Sequence, residues 1–198
     1  MKNNFKVLSL LILSLLIFGL VGCSNKNNAV PNDNTKNPTN AGNSTSNKKA
    51  PTNEEYYNYL TERYNHYFNN NTLDTTYDIY VDNFTYDTTY EEFITAYNGS
   101  YEQLRTSLES FKKDLEINVV KGNAEVDKYN AEVITAIDKA IIEIDNYTGG
   151  FAEKAKDYAT LSKDEVIKGL KSLTLGAHNA KVDLKYLVDK AGDKLGIK

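Results

Sequence analysis

Tyr90, Ile94, Tyr97, Tyr101, Leu104, Leu108, Phe111 and Leu115 stand alternately four and three residues apart. Spacing of this kind, held for more than three heptads, lines one face of a long helix and requires other helices to cover it. Nothing downstream interrupts such a fold. All three prolines (Pro31, Pro38, Pro51) precede Thr52, and the residues from Asn53 to Lys198 contain none. Proline inside a helix costs about 3 kcal/mol, so its absence lets helices run long.

The punctuation agrees with the periodicity. Thr89-x-x-Glu92 is a capping box at the head of the heptad segment, which should end near Val120. There Gly122 suits a left-handed C-cap and Asn123 can cap the next helix. That helix carries Val126, Asn130, Val133, Ile137, Ala140, Ile144 and Tyr147. It is expected to stop at Gly149-Gly150, with a short helix from Phe151 to Leu161 beyond. Ser162-x-x-Glu165 opens the last helix, with Val166, Leu170, Leu173, Ala177, Ala180, Leu184, Leu187 and Ala191 on its apolar face. Within it, Gly169 and Gly176 either cost about 1 kcal/mol each or mark a close helix approach.

Upstream, Thr52-x-x-Glu55 starts a first helix whose stripe is Tyr56, Leu60, Tyr64 and Tyr67, reaching the Asn run at 69–71. Residues 73–87 are ambiguous. Leu73, Tyr77, Tyr80 and Phe84 fit helical spacing, whereas Tyr77, Ile79 and Val81 alternate as a strand does. Helix is the expectation, because a lone strand has no partner here. The fold class that follows is all-α: an elongated antiparallel helical bundle over 53–198, three long helices with coiled-coil seams plus shorter N-terminal helices.

The N-terminus is of another kind. Lys2 and Lys6 precede an apolar run from Val7 to Leu20, shorter than the roughly 20 residues that span a bilayer. This is a secretory signal pattern. It ends in Leu20-Val21-Gly22-Cys23, which resembles the lipobox of bacterial lipoproteins. The resemblance covers the first 23 residues. It implies transfer of a diacylglyceryl group to the Cys23 sulfur, removal of residues 1–22 and acylation by palmitate-like chains, so that Cys23 becomes a membrane anchor. The implied location is the extracytoplasmic face of a Gram-positive-like cell membrane. Since Cys23 is the single cysteine, no internal disulfide supports the domain, and its core must suffice.

Residues 23–52 form an Asn-rich tether with little to bury, expected to be disordered. Ser24 to Thr52 holds nine Asn, four Lys and one acid, whereas 53–198 carries 17 Lys and Arg against 26 Asp and Glu. An acidic domain is repelled by nucleic acid, so no nucleic-acid partner is expected.

Eleven of the fifteen Tyr lie between Tyr56 and Tyr101. Most occupy core spacing and read as a Tyr-padded interior. Tyr59 is off the stripe, with Arg63 and His66 following on its flank at i+4 and i+7, so these three are the candidate surface contact. His66 and His178 are the two histidines, without metal-ligand spacing, and Asp74, Asp78 and Asp82 read as a solvated acidic ladder. No phosphate loop and no nucleophile elbow occurs. The expectation is a non-catalytic lipoprotein without metal or cofactor, presenting its bundle to a protein or envelope partner. One alternative holds a small apolar, aromatic or cell-wall-derived molecule among Tyr-lined helices, in a cavity of about 300 Å³ or more. Another is an envelope immunity or exclusion factor.

Overall fold

The computed structural model describes residues 49–68, 77–81, 84–85 and 87–197, within a compact unit spanning Ser46–Lys198. Cys23, most of the tether, Asp74 and Asp82 lie outside the described residues. Four helices form the molecule: α1 (Asn53–Phe68), α2 (Tyr90–Asn118), α3 (Ala124–Tyr158) and α4 (Lys163–Lys194). The all-α bundle expected from the heptads is present, with one short N-terminal helix among the described residues instead of several.

Each helix begins where its cap dictates. Thr89 and Glu92, and Ser162 and Glu165, form reciprocal capping boxes, and Thr52 with Glu55 makes the same pair of bonds at the head of α1. Hydrogen bonds from the Thr52 and Ser162 residues hold the Glu55 and Glu165 carboxyls below their ordinary range. Asn123 caps α3 by accepting from the Glu125 and Val126 amides. Gly122 has φ +132°, a conformation that favours glycine, and a Cβ there would lie 3.2 Å from that of Ala50.

The ion pairs give the helix directions. Arg105 reaches Asp145 at 2.8 Å and Lys112 reaches Asp138 at 2.6 Å. The α3 partner falls in number as the α2 residue rises, so α2 and α3 are antiparallel. Lys139–Asp183 and the Tyr129 hydroxyl on the Leu187 carbonyl relate α3 to α4. The Asn53 amide donates to Glu125 and to the Leu195 carbonyl, and Tyr56 donates to Asn130. These contacts run α1 parallel to α3 and place its start at the C-terminal end of α4.

At 1.5 Å per residue α3 is about 52 Å long and α1 about 24 Å, so α1 covers only part of the bundle. Two core clusters result. The first, with Tyr56, Leu60, Leu108, Phe111, Val133 and Ile137, has α1 as its fourth wall. The second, with Phe93, Tyr97, Tyr147, Phe151, Val166 and Leu170, has the segment around Ile79 in that place.

That segment corrects the sequence reading of 73–87. Its described part contains no α-helix: Tyr77 has 3₁₀ geometry, and the chain turns through Val81, with Asp78 accepting from the Tyr80 amide at 3.0 Å. Aspartate offers the backbone an alternative to helical bonding, and the turn seats Ile79, 1% exposed, in the core. A second correction concerns Gly149-Gly150, which interrupt nothing; α3 continues to Tyr158. Tyr147, Phe151 and Tyr158 are buried on its inner face, and that burial outweighs the cost of two helical glycines. In α4 the seam passes through Thr174 and Val188 rather than Leu173 and Leu187.

Candidate functional site

The Tyr59–Arg63–His66 row faces α2. Arg63 Nε lies 2.7 Å from a carboxylate oxygen of Asp114. The hydroxyls of Tyr59 and Tyr67 reach the carbonyl and the carboxylate of the same Asp114, each at 3.3 Å, and the guanidinium lies over the Tyr67 ring. Tyr59 and Arg63 are thus half-buried and brace α1 on α2. His66 is exposed, with its ring edge-on to Tyr67. Sequence spacing put the three on one flank but could not reveal Asp114, which sits on a different helix.

A second constellation lies where the Tyr77–Val81 turn crosses α2 and α4, and sequence reasoning missed it. At its base is Thr174, a polar residue with no exposed surface. Its hydroxyl donates to the Leu170 carbonyl at 2.8 Å and accepts from the Tyr97 hydroxyl at 3.2 Å. The Tyr80 hydroxyl lies 3.0 Å from the same oxygen and donates to the Lys171 carbonyl at 2.8 Å. The Tyr80 ring stacks on His178, centroids 3.9 Å apart and planes 19° apart. Burial raises the Tyr80, Tyr97 and Tyr101 phenols above the ordinary tyrosine range. Burial also lowers the His178 imidazole; Lys181 adds to this and Asp78 opposes it.

Beside this network is a pocket of about 100 Å³, lined by Tyr77, Asp78, Tyr80, Ser100, Tyr101 and Lys181 among others. That is well short of the volume a drug-sized ligand fills. The surrounding rings are in contact: Phe93 with Tyr97, Tyr97 with Tyr101, and Tyr101 with Tyr147, at 4.7 to 5.6 Å between centroids. One signal for this site was available in the sequence: Thr174 stands at core spacing in α4, and a buried hydroxyl needs partners. Asp78, assigned to an acidic ladder, instead turns the backbone at the pocket rim.

A third feature is the outward face of α4. Leu175, Val182 and Tyr186 are 50%, 50% and 60% exposed. With Asn179 they make a row spaced four, three, four, opposite the buried seam. A groove between α3 and α4, lined by Ala136, Lys139, Asp183, Tyr186 and Leu187, runs along its edge.

Among the described residues, no three His, Cys, Asp or Glu side chains form a metal-ligating group, and no helix is long and apolar enough to cross a membrane. No protein-family model, curated protein or solved structure matches this chain.

Proposed function

We propose that this chain is an extracytoplasmic lipoprotein, held at the membrane by acyl groups on Cys23, which presents its bundle to an envelope protein and catalyses no reaction. The Leu20–Cys23 motif behind a short apolar segment supports the anchor. The observation that carries the docking role is the outward row of α4. Large apolar side chains at heptad spacing, half or more exposed among the described residues, suit a helix or groove on another molecule. Burying them yields about 25 cal/mol per Å². Lys168, Lys171 and Lys185 accompany the row along α4, so a partner with an apolar strip and acidic edges fits it best. The Tyr59 row is a weaker candidate, since two of its members already brace the bundle.

In-cell photo-crosslinking is the direct test. A photoreactive residue at Val182 should give a discrete protein adduct and one at His66 a fainter one or none. If Val182 labels only bulk lipid and abundant neighbours, the docking reading fails. Incorporation of labelled palmitate into the wild type, and its loss in Cys23→Ala, checks the anchor independently.

A further inference from the structure

We infer that the pocket beneath the Tyr77–Val81 turn is a binding site for a small zwitterion, an α-amino acid whose ammonium faces Asp78 and whose carboxylate faces Lys181. The inference concerns a different surface from the α4 docking row and does not depend on the anchor.

Three observations converge. The pocket carries one carboxylate and one ammonium, on Asp78 and Lys181. No ion pair joins them among the described residues. A ligand of either single charge meets one attraction and one repulsion there, whereas a dipolar ligand meets two attractions. Both charges line the pocket together with His178, which puts them around one space.

Size gives the second constraint. A cavity of about 150 Å³ accepts the six carbons of benzene. By that ratio about 100 Å³ holds about four heavy atoms, and because the pocket is partly open to solvent a molecule of five or six seats with its edge outside. The nitrogen, Cα and carboxylate of an amino acid come to five. A larger metabolite or wall fragment would stand mostly outside it.

The lining supplies the third. Leu104, Ala177 and Ile79 give an apolar base for Cα and a short side chain. Tyr77, Tyr80 and Tyr101 add aromatic lining, and an aromatic ring attracts an ammonium group placed over its face. Ser100 is occupied as a donor to the Tyr97 carbonyl at 2.7 Å, so its hydroxyl oxygen remains an acceptor.

The test is a nuclear magnetic resonance titration of the full mature chain at fixed pH, following the His178 ring protons. Glycine and alanine are the probes, with acetate and ethylammonium as single-charge controls. Saturable shifts with glycine or alanine, absent with either control, are expected. Asp78→Asn and Lys181→Gln should each weaken binding about tenfold or more, the scale of a lost charged hydrogen bond. Ser100→Leu keeps both charges and fills the space, and should abolish binding. Equal responses to the controls, or no saturation with either amino acid at tens of millimolar, overturn the inference. Undiminished binding to Ser100→Leu overturns it as well. Circular dichroism identifies any variant that does not fold, and the control titrations on the wild type then decide alone.

Discussion

Thr174 shows how a single residue couples the fold to its pocket. Its hydroxyl is buried and shared by Leu170, Tyr97 and Tyr80, so one atom links α2, α4 and the turn. Thr174→Val keeps the shape and leaves the Tyr97 phenol short of its acceptor, while Tyr80 keeps the Lys171 carbonyl, at a cost of about 1–3 kcal/mol. Tyr97→Phe should cost less, and the double variant less than the sum, because both changes break the same bond. Chemical denaturation of the three variants measures this. His178 makes a pH prediction whose sign is fixed by its environment. Its folded pKa lies below 6.5, chiefly through burial. The unfolded chain therefore binds more protons just below neutrality. The contribution of His178 is complete above about pH 6.5 and is lost as pH falls through the folded value. The ring proton titration should centre below 6.5, and His178→Asn should flatten the pH dependence of the melting temperature across that window.

At the scale of elements, glycines separate what the sequence revealed from what it concealed. Read along the chain, Gly149-Gly150 was a helix stop. In the bundle Gly149 is exposed mid-helix, and an added Cβ meets nothing within 4 Å. Gly149→Ala should therefore stabilise by about 1 kcal/mol, raising the melting temperature by about 2–4 °C. A true break would make the same change destabilising. Gly169→Ala should have the opposite sign, since a Cβ there lies 2.6 Å from the hydroxyl of the buried Tyr158. Calorimetry on both variants checks the pair. Heptads and capping boxes were legible because helix periodicity and caps are local: the starts of α2, α3 and α4 fall where Thr89, Asn123 and Ser162 put them. The Tyr77–Val81 turn was not legible, because what holds it is spread over two distant helices, at Tyr97, Lys171, Thr174 and His178. For the same reason the pocket could not be read from spacing, although Thr174 on an otherwise apolar seam was a trace of it.

Over the whole molecule, charge and connectivity are both uneven. Residues 53–118 hold 4 Lys and Arg against 13 acids, whereas 119–198 hold 13 of each. The acidity thus belongs to α1, the turn and α2, while the α4 side is the one that tolerates an acidic neighbour. Connectivity concentrates where the chain enters the bundle. The Pro51 carbonyl and the Asn53 side chain both accept from the Asn123 amide, Asn53 donates to Glu125 and Leu195, and Thr52 caps α1. Three consecutive residues, 51–53, therefore join the start of α1 to the start of α3 and the end of α4. The contacts described for the bundle need nothing before Lys49, so a chain beginning there should unfold with the same midpoint as the full chain. A chain beginning at Glu54 loses a cap worth about 1 kcal/mol and the Asn53 bonds at about 0.5–1.5 kcal/mol each. Its destabilisation should be about 2 kcal/mol or more, a drop of about 4–8 °C in melting temperature. Equal midpoints for all three chains would mean that the joint contributes nothing and that α1 is held by its buried face, Tyr56 and Leu60, alone.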